Sequence, residues 1–321
     1  MPNVRLVVLI RIFVIVASLL TAPRALTVAF AQSSPDRGFN TRVAAPAYAA
    51  HHPRVLFDMA HNNAASADGL YQPFVDLITS DGYRVAANDR EFSKKILING
   101  DILVIANPRG APGRLDSPAF TESECAAVKE WVNAGGSLLL IISHLPFSAA
   151  AESLCKQLNV DVTKGHTFDK SNFNQTSGDE TELVFTRDNG LLKDHAITRG
   201  RSGSESINRI ITFSGTSLKA PADSVPFLML ADTAMDVLPP TAPKPTSPEE
   251  ALPEHTQVSA AGRAQGIAME IGKGRLVVLG EAGMLTAQVT PQGFHFGMNV
   301  PGYDNRQLAL NIMHWLSGLL K

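Results

Sequence analysis

Residues 121–143, "TESECAAVKEWVNAGGSLLLIIS", hold a complete passage from helix to strand. Thr121 followed three residues later by Glu124 is a capping-box pattern, which satisfies the free amides at a helix start. Gly135 and Gly136 then stop the helix. The run "SLLLIIS" that follows carries no charge and does not alternate apolar with polar residues. A strand of that kind is covered on both faces, as in a parallel sheet flanked by helices.

Upstream the pattern repeats. "GDILVIANP" (100–108) is a second near-continuous apolar strand, and "RVLFDMA" (54–60) a third. Between them lie "GLYQPFVDLITSDGY" (69–83), with Leu70, Phe74, Leu77 and Ile78 on one helical face, then the short strand "YRVAAN" (83–88) and the short helix "REFSKKIL" (90–97). Downstream, Ala149 to Leu158 reads as the next helix. Strands and helices that alternate in this way predict an α/β fold. With right-handed crossovers it is a flavodoxin-like, doubly wound, mostly parallel sheet with helices on both faces.

From residue 160 to about 232 the order is looser, with short β-prone runs such as "LVFTR" (183–187) and "PFLMLAD" (226–232). Residues 239–255, "PPTAPKPTSPEEALPEH", are proline-rich and polar and predict an exposed loop. Order returns in "QGIAMEIGKGRLVVLGEAGM" (265–284), where Gly272-Lys273-Gly274 marks a β-hairpin. Leu308, Ile312, Trp315 and Leu316 share one face of a closing C-terminal helix. One domain over residues 51–321 is expected.

The first 31 residues carry three arginines and no acid, then the apolar stretch "IFVIVASLLTA", then Ala29-Phe30-Ala31 before Gln32. That is the layout of a signal peptide and predicts a periplasmic or secreted protein. An uncleaved N-terminal membrane anchor is the alternative. Cleavage after Ala31 takes the formal charge of −2 to −5, a poor match for nucleic acid or anionic lipid. Residues 32–50 have no sustained period and are expected to be a flexible leader. The two cysteines, Cys125 and Cys155, lie in helical stretches and read as buried thiols, although export would permit a disulfide.

Five segments carry a resemblance: "RVLFDMAHNN" (54–63), "GDILVIANP" (100–108), "WVNAGGSLLLIISH" (131–144), "GKGRLVVLGEAGMLTAQ" (272–288) and "DNRQLALNIMHWLSGLL" (304–320). Together they resemble an uncharacterised bacterial exported family of the class I glutamine amidotransferase-like superfamily. Its relatives include domains of gliding-motility transport proteins and of an intraflagellar transport subunit. The resemblance covers nearly all of residues 53–321. It implies a flavodoxin-like sandwich with a long excursion before the closing hairpin and helix. Catalytic members place a cysteine at the turn after a central strand; here "SLLLIIS" runs into His144-Leu145-Pro146, so the glutaminase triad is absent.

Ligands of open parallel sheets bind beyond the carboxyl ends of the strands. The first strand delivers Asp58, His61, Asn62 and Asn63 there. The third delivers Asn107, the fourth Ser143 and His144. Glu281 and Gln288 follow the last strand, and Asn299 and Asp304 precede the closing helix. His61, His144 and Glu281 are the candidate catalytic groups, expected to face one another; the others are candidate ligand-binding residues. Some also have a plainer role open to them: His61, Asn62 and Asn63 as turn ties, His144 as a structural histidine, Asp304 as a helix N-cap; Glu281, after so apolar a strand, must find a partner for its carboxylate. The histidines stand singly, without the spacing of a metal motif, so no metal and no cofactor is expected. Three functions compete: an exported module that binds or senses a small polar ligand, sugar or peptide; a hydrolase with a His/His/Glu site; and a structural partner in an envelope complex.

Overall fold

The computed structural model describes residues 33–240 and 255–321. The expected signal peptide lies outside the described residues, as does all but the ends of the proline-rich stretch.

The large mixed sheet is built on β1 (Arg54–Asp58), β2 (Arg84–Asn88), β3 (Ile102–Ala106) and β4 (Ser137–Ile141). It is completed by β5 (Asp161–Val162), β6 (Leu218–Lys219), β7 (Val225–Met229), β8 (Ala264–Ile271) and β9 (Gly274–Leu279). Its order is β2-β1-β3-β4-β9-β8-β6-β5, with β7 also paired to β8. The first five strands in that order are parallel, and the rest run antiparallel to their neighbours. The sheet is therefore mixed, and its parallel half is consistent with a flavodoxin-like arrangement.

Period-two alternation sorts the central strands into two cores. Ile102, Val104, Leu139 and Ile141 face one cluster, and Leu103, Ile105, Leu138 and Leu140 the other. The first cluster is covered by α1 (Gln72–Ser80), through Phe74, Leu77 and Ile78, and by the closing helix. Onto the second pack α2 (Lys94–Leu97), α3 (Glu122–Asn133) and α4 (Phe147–Gln157). Every residue of β3 and β4 is buried, as their unbroken apolar runs require. Cys125 and Cys155 sit in the second core as free thiols.

The β8–β9 hairpin turns at Gly272, whose φ of +59° and close approach to the Asn133 carbonyl leave no room for a side chain. It inserts β9 beside β4, which puts Glu281 on the same sheet edge as the ends of β1, β3 and β4. The single-turn helix α5 (Ala196–Arg199) lies on the excursion between β5 and β6. The closing helix α6 (Asn305–Leu316) buries Leu308, Ile312, Trp315 and Leu316. No helix among the described residues is long and apolar enough to cross a membrane.

The leader differs from expectation. Residues 34–35 pair with Gln288–Val289 as a short strand. The stretch beyond is held by side chains of α1 and α6 and of the residue after α1: Val43 N donates to Ser80 Oγ, Ala47 N to Asp81 Oδ1, and Arg306 to the carbonyls of Asn40 and Arg42. Aperiodic sequence hid a segment whose anchors all belong to other elements.

Candidate functional site

The last residue of β1, Asp58, is fully buried, and the chain then turns through Asn62, an exposed residue in the left-handed region. His61 folds back into the turn. Its Nδ1 lies 2.9 and 3.0 Å from the two carboxylate oxygens of Asp58, and its Nε2 lies 2.9 Å from Glu124 Oε1. Both partners are acceptors, so the ring donates from both nitrogens and is held as an imidazolium. Phe92 and Phe120 flank it, with ring centres 4.6 and 4.7 Å away. Burial alone would lower the His61 pKa, but the two carboxylates outweigh it and raise the value above the ordinary one.

Glu124 does two jobs. Its Oε2 accepts from Thr121 N and Oγ1, closing the capping box, while Oε1 accepts from Phe92 N and His61. Burial works against its charge, and these donors together hold its carboxyl below the usual range. The sequence signals the box and nothing of the histidine 63 residues away.

The neighbouring strand ends join this array. Asn63 Nδ2 donates to Asp58 Oδ2 at 3.1 Å, Arg109 N to the His61 carbonyl, and Ala64 N to the Asn107 carbonyl. Asn107 Nδ2 donates to Ser143 Oγ at 3.3 Å. Asp58, His61, Asn63, Asn107 and Ser143 are thus one connected set on the β1–β3–β4 edge.

His144 and Glu281 stand apart from it. His144 Nδ1 donates to the Leu145 carbonyl at 2.9 Å, and burial lowers its pKa. Glu281 is buried and its carboxylate accepts from the amides of Gly283 and Met284. Burial nevertheless pushes its pKa up to about 7, against the pull of those amides. None of His61, His144 and Glu281 hydrogen-bonds or ion-pairs with another of the three among the described residues. Strand spacing separates His61 from Glu281. β1 and β9 are separated by β3 and β4, so their ends are on the order of 14 Å apart.

The remaining candidates sit around the closing helix. Gln288 is buried, with its Nε2 donating to Thr286 Oγ1 at 2.7 Å. Asp304 occupies the N-cap position of α6 but makes no cap bond; its carboxylate accepts instead from the amides of Asn208 and Arg209. Asn299 donates to Asp36 Oδ2 at 2.9 Å and to the Gln288 carbonyl, and lines a cleft of about 810 Å³. The walls of this cleft are residues 36–45, the loop before α6, and α6 itself. Arg42, Arg201 and Arg306 line it together with Asp36, Asp81 and Glu205. Two lining residues, Asn299 and His314, each have a shielded polar atom without a partner, Oδ1 and Nδ1. On His314 the other nitrogen, Nε2, is 2.7 Å from Asp81 Oδ2. The sequence points to Asn299 but assigns it to the strand-end rim, and it gives His314 only the look of a core or interface residue.

No protein-family model matches the chain, and no curated protein matches it either. Among solved structures, one described as the mmIFT52 N-terminal domain is similar at 14% identity and TM-score 0.57, over 82% of this chain and 97% of that one. That likeness is one of fold. A putative ThuA-like protein from Bacteroides uniformis aligns at 12% identity and TM-score 0.41, over 84% and 94% of the two chains. A putative GMP synthase component from Thermoplasma acidophilum aligns at 12% identity and TM-score 0.41, over 84% and 97%.

Proposed function

We propose that the protein is an exported binding or sensing module on a glutamine amidotransferase-like, doubly wound flavodoxin-like scaffold that lacks the catalytic cysteine. The observation that carries this reading is the His61 clamp. A general base needs a free nitrogen within reach of a substrate proton, and both nitrogens of this ring are committed to carboxylates. Glu281 is likewise spent on backbone amides, and the turn after β4 supplies no thiol. His61 and Glu281 therefore favour binding over hydrolysis.

The ligand-binding place is the cleft beside α6. Its volume lies within the range of small-molecule sites. Three guanidinium groups are balanced by three carboxylates, which favours a ligand without large net charge. Asn40, His295 and Gln307 add polar side chains to its wall. A small sugar or peptide fits that chemistry. Export follows from the N-terminal layout, and intact-mass analysis of protein from the cell envelope should find a mature start near Gln32. A thermal-shift screen of sugars and peptides, with product analysis in parallel, tests the binding role.

A further inference from the structure

Beyond the end of β4, away from the cleft, two histidines meet. The rings of His144 and His166 are 6.3 Å apart between centres and cross at 73°. His166 opens a short strand, His166–Phe168, that pairs with Met235–Leu238. Both side chains are half-buried. We propose that His144 and His166 are two ligands of a site for a zinc-class divalent ion.

The tautomer of His144 suits a ligand. Its Nδ1 faces the Leu145 carbonyl, an acceptor, so this nitrogen carries the proton. Nε2 keeps its lone pair and makes no hydrogen bond among the described residues. An imidazole whose far nitrogen donates to a backbone carbonyl is the usual arrangement of a metal-binding histidine. His255 repeats it, with Nδ1 donating to the Leu238 carbonyl at 3.2 Å. His166 makes no ring hydrogen bond among the described residues and is free to ligate.

The surroundings of His166 supply further donors. His144, His255, Asp179 and Asp236 all lie within its electrostatic reach. Asp236 is spent on Thr167 and Ser217. Asp179 uses Oδ1 for Thr181, while its Oδ2 is shielded and unpartnered. A shielded carboxylate oxygen left without a donor, within electrostatic reach of His166, is available to a cation.

The two rings are also within reach of one ion. An ion about 2.1 Å from one nitrogen of each ring puts tetrahedrally placed ring centres roughly 5 Å apart. Side-chain rotation of about an ångström closes the observed separation to that value. Among the described residues no three His, Cys, Asp or Glu side chains already surround one point. The histidine pair is therefore the nucleus of the site, and Asp179 and water fill the other positions.

Calorimetric titration of zinc into the metal-stripped protein tests this, together with the visible spectrum after cobalt substitution. The expected result is one saturable ion per chain and cobalt bands of a nitrogen-oxygen site. His166→Gln should weaken binding at least tenfold while leaving the melting temperature of the metal-free protein unchanged. Asp179→Asn should weaken it less, and His295→Gln, in the cleft, should not affect it. Absence of saturable binding would overturn the site, as would a His166→Gln variant that binds like the parent.

Discussion

The imidazole of His61 donates from Nε2 to Glu124 Oε1 at 2.9 Å, and so ties the turn after β1 to the first turn of α3. With Asp58 on its other nitrogen, the ring forms a buried ionic clamp between two elements that β3 separates in the chain. A histidine with the look of a catalytic group is a fastening.

Removing one member of a buried ionic set leaves the others uncompensated, at a cost of about 3–5 kcal/mol. Glu124→Ala should fall in that range, because it also removes the capping box and the partner of the Phe92 amide. Urea denaturation of this variant and of His61→Ala gives the numbers. Stability losses below about 1 kcal/mol for both would show that the clamp is not structural.

The pH dependence of stability has a definite sign. The folded pKa of His61 is above its unfolded value, so its contribution is full below about 6.5 and is lost as pH rises through the folded pKa. Glu281 acts in the same direction. Burial raises it from 4.5 to about 7, so the folded state keeps a proton that the unfolded chain releases across that interval. Glu124 acts oppositely, since its contribution is lost only as pH falls through a value below its ordinary one. His144, His166 and His195, whose pKa values burial lowers, act against this fall, so the test is the difference between variants: relative to the parent, Glu281→Gln should lose less stability as pH rises from about 4.5 to about 7. Parallel pH profiles for parent and variant would contradict the assignment.

Cys125 and Cys155 are free and buried, and burial raises both thiol pKa values. Thiolate is the reactive form, so both should be silent to a thiol reagent in the native protein. Unfolding should expose two titratable thiols. None after denaturation without reductant would indicate a disulfide.

Much of this architecture is legible in the sequence. The uncharged runs at β3 and β4, the capping box at Thr121, the glycine-marked hairpin and the apolar closing helix are local patterns, and local patterns survive in sequence; that α6 is buried all round from Leu308 to Leu316, and not on one face, is not local. The insertion of β9 beside β4 is not local; it joins segments more than a hundred residues apart. The His61–Glu124 bond is hidden for the same reason, and so is the leader, whose anchors are Ser80, Asp81 and Arg306. Glu281 is a different case. Its partners are the amides two and three residues on, a short-range bond that the sequence already implies once an apolar strand has delivered a carboxylate to a buried turn.

Arg306 should hold the leader over the cleft. It donates to two backbone carbonyls there, and losing charged hydrogen bonds of this kind costs about 1.5–3 kcal/mol. Arg306→Met should make residues 36–45 cut at least about tenfold faster in limited proteolysis, with the rest of the domain unchanged. Equal cutting rates would mean that the leader is held elsewhere.

The central claim is that the cleft binds without chemistry. The decisive measurement is a thermal-shift titration of sugars and peptides against the parent protein and Asn299→Leu, with each ligand checked for breakdown afterwards. A ligand at about a hundred times its Kd adds about 2.7 kcal/mol to stability, which is readily seen as a rise in Tm. A binding module predicts a saturable rise in the parent, a reduced one in Asn299→Leu, and ligand recovered intact. Turnover of the ligand that is abolished by His61→Gln would contradict it.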